Sequence, residues 1–181
     1  MMPIGPLMIE HRLIERMIRL LDAHGKRICA GSPPDLSFLS DAVDFIRTYA
    51  DRCHHGKEED ILFRDLGRKA LVPADAAAMS GLTKDHVWAR DRVKELVDAA
   101  AAWRSGATDA AGRIGKALEE LASFYPEHIR REDREFFPIS MKYFSGDEQK
   151  RMLAEMAEFD QKLIHEHYRA VVSRFEPAKA T

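Results

Sequence analysis

Four histidines, His11, His54, His86 and His128, and two glutamates, Glu58 and Glu132, are the residues of this chain whose types and spacing could do chemistry. Two of the histidines stand four residues ahead of the glutamates, in His54-His-Gly-Lys-Glu58 and His128-Ile-Arg-Arg-Glu132. On a helix this spacing puts both side chains on one face, one turn apart, with about 6 Å between Cβ atoms. An imidazole and a carboxylate so placed can hold one cation together, or the carboxylate can bridge to a second. Mixed nitrogen and oxygen ligation suits iron, with manganese or zinc as alternatives. The bland reading, that all six are satisfied core or surface residues, meets a physical objection. Two carboxylates buried without cations would each cost on the order of several kcal/mol after relaxation.

Helices have to position these groups. Helix formers dominate and β-branched alternation is absent, so the chain reads as all-α. A first helix is expected over 7–30, stopped by Gly31-Ser-Pro-Pro, and a second over 34–66, stopped by Gly67. Residues 71–81 read as a connection. A third helix is expected over 82–104 and a fourth from about 108 to the Phe136-Phe137-Pro138 stop. Ser145-Gly-Asp-Glu148 has capping-box spacing and opens a fifth, over 146–175.

Helical phase turns the six polar residues inward. His11 fills the gap between Leu7 and Ile14; His54 and Glu58 lie between Ala50 and Ile61. His86 lies between Leu82 and Ala89, and His128 and Glu132 fall within the arc of Leu121, Tyr125 and Phe136. His11 and His86 come near helix starts, His54 and His128 near helix ends. An up-down-up-down four-helix bundle brings those ends to one pole. Residues 54–63 align without gaps on 128–137, matching His, Glu and Phe at the same offsets, so the chain reads as two related hairpins.

Neighbouring residues separate by phase. His55 turns away from the apolar stripe, either to face solvent or to support a ligand from behind, and Glu59 and Asp133 are rotated off the inward face. His24 lies roughly 20 Å along the axis from His11, too far to join it. His165 and His167 face different ways and read as structural. Glu15 repeats the spacing after His11 at the edge of the inward arc. It reads either as a metal contact or as a surface charge or acceptor for a ligand N–H. Cys53, about 100° around the helix from His54, reads as small core packing. Pro126, inside the fourth helix, is expected to kink it.

The formal charge of −2 with a pI near 6.5 leaves no basic excess for phosphates, so nucleic-acid binding has no compositional support. Two cysteines are too few for a disulfide scaffold and favour a reducing, cytoplasmic setting. Residues 1–9 carry Pro3 and Pro6 and no basic start, unlike a signal peptide, and no apolar run is long enough for a membrane span. The expectation is a single domain over 1–181, its bundle spanning about 7–138.

On these residues the chain resembles the hemerythrin-like proteins of the HHE cation-binding type. The resemblance runs from Leu7 to Phe137 and rests on His11, His54-His55-Gly-Lys-Glu58-Glu59, His86 and His128-Ile-Arg-Arg-Glu132-Asp133. It implies a non-haem di-iron site with an oxo or hydroxo bridge, His11, His54, His86 and His128 as terminal ligands, and Glu58 and Glu132 as bridges. Oxygen-carrying members have a further histidine where this chain has Arg90, and an aspartate five residues after the last histidine, which corresponds to Asp133. The resemblance therefore implies an open site for dioxygen, nitric oxide or peroxide, serving sensing, storage or stress response. Rival expectations are oxidase, peroxidase or nitric oxide reductase chemistry, with Tyr49, Trp88 and Tyr125 as redox-active neighbours, or an iron-responsive interaction module. A homodimer is an open expectation, with the fifth helix as cover or contact surface.

Overall fold

The computed structural model describes residues 2–160 and 162–176, which contain helices and no strand. Helix α1 runs over Ile4–Cys29, with Leu7, Ile14, Ile18 and Leu21 buried along one face, and stops just before Gly31, whose φ of 95° suits only glycine. Asp35 opens α2 by accepting hydrogen bonds from the backbone N–H groups of Ser37 (2.9 Å) and Phe38 (3.1 Å). This helix is α-helical over Leu36–Phe45, π-helical over Ile46–His55 and Glu58–Phe63, and α-helical again over Arg64–Leu66.

Helix α3 extends over Pro73–Arg104, so most of the expected connection 71–81 is helical. The reason is local: Pro73 is at the start, where its missing N–H costs nothing, and an alanine-rich run follows. Helix α4 spans Ala110–Arg131, runs through Pro126, and continues as a π segment over Glu132–Phe136 and a short turn over Phe137–Ser140. The Ser145–Glu148 capping box forms and opens α5 over Gly146–Phe159. The expected fifth helix is two. Asp160 takes up extended backbone (φ −77°, ψ 97°), and a separate α6 follows over Lys162–Phe175.

Helix α4 lies between α1 and α3, and the π segment of α2 packs against both α1 and α3. Gly115 permits the α1–α4 approach: a Cβ there would sit 2.7 Å from Cys29 Sγ and 3.3 Å from Ile28. Helix α6 covers α1 and α2, while α5 packs on the Glu58–Phe63 segment. The apolar core forms two clusters. The larger contains Ile14, Ile18, Tyr49, Ala89, Leu121 and Tyr125; the smaller contains Leu7, Ile61, Leu82, Phe136, Phe137 and Met152. None of the six inward polar residues belongs to either cluster; His11, His54, Glu58, His86 and Glu132 fall in sequence between members of the two, and His128 lies between Tyr125 and Ile129 of the larger. The polar layer is therefore internal, roofed by apolar side chains. No helix among the described residues is long and apolar enough to cross a membrane.

Candidate metal centre

All six inward-phased residues are at most 1% exposed. The two His-x-x-x-Glu pairs keep their one-turn geometry, with His54 Nε2 3.6 Å from Glu58 Oε1 and His128 Nε2 3.2 Å from Glu132 Oε1. Each carboxylate also reaches across the layer. Glu58 Oε2 lies 3.3 Å from His86 Nε2, and Glu132 Oε2 lies 3.3 Å from His11 Nε2. Both glutamates therefore face two different imidazoles through their two oxygens.

Donor atoms gather in two groups small enough to surround a cation. His11, His54, Glu58 and Glu132 form one; His55, His86 and His128 form the other. Because the second oxygens of Glu58 and Glu132 point to His86 and His128, the same two carboxylates span both groups.

His55 is a departure from the sequence expectation. Regular α-helical phase turns it outward, whereas the structure buries it at 2% exposure and stacks it on His86, with ring centroids 3.9 Å apart and planes at 10°. The cause is the π-helical winding of Ile46–His55. An i→i+5 turn is wider than an α turn, so consecutive residues diverge less around the axis and both His54 and His55 point inward.

Each of these five imidazoles has its Nδ1 against a carboxylate. His11 Nδ1 donates to Asp133 (2.7 Å), His54 to Glu10 (2.9 Å), His55 to Asp51 (3.3 Å), His86 to Glu59 (2.7 Å) and His128 to Asp85 (3.3 Å). Such a partner fixes ring orientation and leaves Nε2 as the inward-facing donor. Asp133, a candidate ligand from the sequence, is thus placed behind His11 and away from the carboxylates that meet Nε2. Glu15, the other lesser candidate, is one-third exposed and paired with Arg12 at 3.1 Å.

The supporting residues repeat like the inward ones. Glu10 and Asp85 directly precede His11 and His86, and Glu59 and Asp133 directly follow Glu58 and Glu132. Lys57 and Arg131 occupy matching places before the glutamates, and pair with Glu10 and Asp85 respectively. Phe63 and Phe137, aligned by the sequence repeat, stack on His86 (6.0 Å) and His11 (5.8 Å). An acidic residue immediately before His11 and before His86, the two helix-start histidines, was the signal that could have revealed Glu10 and Asp85. His55 breaks the symmetry, since its counterpart is Ile129.

Electrostatics oppose keeping this layer empty of cations. Burial and the neighbouring Glu132 carboxylate push the Glu58 carboxyl well above the usual range. Burial acts on Glu132 in the same sense, but His128, His11 and His86 outweigh it and hold it well below. Burial holds His54 and His55 neutral. Burial would also lower His11, yet its hydrogen bond to Asp133 and the nearby charge of Glu132 push it up to about 9. The decisive observation concerns unpaired atoms. Nε2 of His54, His86 and His128 and all four carboxylate oxygens of Glu58 and Glu132 are buried without a hydrogen-bond partner among the described residues. Buried polar atoms are rarely left so, and this donor set fits divalent metal ions.

A third cluster of Glu10, Cys53, Asp160 and His165 adjoins the layer. It already encloses a cation, the fully buried Lys57 ammonium, which donates to Glu10 and to Asp160 (2.7 Å). Burial pushes the Cys53 thiol up to about 12, and its Sγ donates to Asp160. His165 bonds Asp160 through Nε2 (2.8 Å) and the Tyr49 hydroxyl through Nδ1 (2.9 Å). His24 stacks on Phe38 at 3.6 Å, away from the centre, and Trp88 lies against Phe124.

No curated protein and no solved structure gives a match to this chain. The family model of the hemerythrin HHE cation binding domain matches residues 2–140, a span that contains the whole histidine and glutamate layer. The chain belongs to the hemerythrin HHE cation-binding family.

Proposed function

We propose that this chain is a non-haem di-iron protein that takes up a small ligand (dioxygen, nitric oxide or peroxide) in sensing, storage or stress response. Seven buried nitrogen and oxygen atoms without a hydrogen-bond partner among the described residues, gathered in one layer whose imidazoles each have the other nitrogen tied to a carboxylate, carry this reading. His11 and His54 would hold one ion, and His86 and His128, with His55, the other. Glu58 and Glu132 would bridge them. Bound there, the two ions supply redox capacity and open coordination positions for the ligand. The protein's own groups do the rest. Asp133, Glu10, Glu59 and Asp85 keep each Nδ1 proton in place and each Nε2 inward. Phe63, Phe137 and the smaller apolar cluster exclude bulk water from the layer. An up-down order of the four long helices accounts for ligands arriving alternately near helix starts and ends.

The direct test is expression with iron followed by metal analysis and visible absorption. About two irons per chain, with the absorption of a bridged ferric pair, is the expected result. A folded sample holding less than about one metal per chain, whatever the metal offered, would sink the reading.

A further inference from the structure

A cavity of about 200 Å³, lined by Ile46, Arg47, Asp51, His55, Ala89, Arg90, Val93 and Tyr125, opens between α2, α3 and α4. That is room for several water-sized molecules. Four properties separate it from a packing defect. It lies on the side of the layer where the pseudo-symmetry fails, because His55 lines it. Tyr125, only 1% exposed, also lines it, and the Tyr125 hydroxyl is buried with no hydrogen-bond partner among the described residues. Two guanidiniums, Arg47 and Arg90, and one carboxylate, Asp51, line it, and Arg90 is paired with Glu59 as well. Arg90 stands at the rim, its Nε donating to Asp51 (2.8 Å) and its NH2 group donating to Glu59 (2.8 Å).

These two carboxylates are the partners of His55 and His86. The rim ion pairs and the imidazole supports are therefore one network. Arg90, 39% exposed, therefore sets a guanidinium at the mouth of the cavity.

We propose that this cavity is the entry and docking chamber for a small hydrogen-bond-accepting anion of a few heavy atoms, drawn in by Arg90 and Arg47 and held by the Tyr125 hydroxyl beside His55. The inference rests on the di-metal reading for its purpose, since the chamber ends at His55, stacked on His86, and at Tyr125, whose ring lies 6.3 Å from that of His128. The docking itself uses only groups of this chain. Tyr125 is a positioning residue: it supplies one O–H donor that finds no acceptor among the described residues. Arg90 steers from the rim, where its guanidinium is 39% exposed.

Two measurements separate the proposal from the reading beneath it. Crystals of the iron-free chain soaked in bromide test the chamber alone, by anomalous scattering. Bromide within hydrogen-bond distance of Tyr125 Oη is expected in the parent chain and absent in Tyr125→Phe, whose fold the lost, unpartnered hydroxyl does not support. Bromide retained in Tyr125→Phe, or found only on surface lysines and arginines, overturns the proposal. Azide titrated into the iron-loaded chain tests the link to the metal layer. Tyr125→Phe should weaken azide roughly tenfold, the effect of losing one hydrogen bond to a charged group. Arg90→Gln should slow azide association several-fold and flatten its salt dependence, while leaving association of uncharged nitric oxide no slower. Equal azide affinity in the parent chain and Tyr125→Phe, at equal iron content, overturns the proposal. Failure of the parent chain to load iron overturns the di-metal reading, and a bromide on Tyr125 in that same chain would still support the chamber.

Discussion

At the scale of single residues, the candidate centre is governed by which nitrogen of each histidine is free. Five carboxylates, Glu10, Asp51, Glu59, Asp85 and Asp133, take the Nδ1 side, so the Nε2 side faces the layer. Removing such a partner leaves the ligand atom in place but frees its orientation. Asp133→Asn and Glu10→Gln are therefore expected to lower metal affinity by roughly 10–100-fold without unfolding the chain. Competition with a calibrated chelator measures this, and unchanged affinity in both variants would show that the carboxylates do not orient the imidazoles. The inward phase of His54, Glu58, His128 and Glu132 was legible from i,i+4 spacing. The role of Asp133 was not, because sequence phase says only that it points elsewhere. What it meets there, His11 at 2.7 Å on another helix, is a tertiary contact.

At the scale of elements, the π-helical stretch of α2 and the break at Asp160 both depart from the expected regular helices. The π winding carries His55 into the layer, and nothing in helical phase announces it. At the break, the Asp160 carboxyl accepts from Lys57, His165 and Cys53 and so ties α6 to the buried charges of α1 and α2. Burial alone would raise this carboxyl, but His165 and Lys57 outweigh it and hold it far below the usual aspartate range. A lowered folded-state pKa means that the stabilisation is fully present above the unfolded value of about 3.9 and is lost as pH falls through the folded value. Docking of α6 should therefore persist through mild acid and fail only well below pH 4, whereas Asp160→Asn should loosen it already at neutral pH. Limited proteolysis within 162–176 reads this; equal cleavage of the two chains at neutral pH would contradict it. The α1–α4 crossing gives a paired test on two glycines of one helix. Gly115→Val must push against Cys29 and Ile28 and should destabilise by about 1–3 kcal/mol. A Cβ at Gly112 meets nothing within 4 Å, so Gly112→Ala should stabilise by about 0.5–1 kcal/mol. Denaturant midpoints decide both, and a loss at Gly112 matching that at Gly115 would remove the argument from close approach.

At the scale of the whole molecule, a polar layer between two apolar clusters sets function against stability. Glu58 is the clearest case: its carboxyl is 0% exposed, neither oxygen has a hydrogen-bond partner among the described residues, and Glu132 lies alongside. Glu58→Gln is expected to raise the melting temperature of the iron-free chain by a few degrees, since it removes a poorly compensated buried acid (about 1 kcal/mol or more). The same change should abolish the gain in melting temperature that iron confers on the parent chain. Thermal melts with and without iron check both halves, and an iron-free Glu58→Gln chain that melts lower would refute the first. Helical periodicity and the His-x-x-x-Glu repeat were enough to establish an all-α chain with four inward histidines and two inward glutamates, because one-turn spacing is a local property that the backbone enforces. Three features required the folded chain: the inward turn of His55, the carboxylate behind every imidazole, and the roof of Leu7, Leu82 and Phe137 that makes the layer internal. Each depends on side chains distant in sequence meeting in space, or on a widened helical turn stabilised by its packing, and linear spacing records neither.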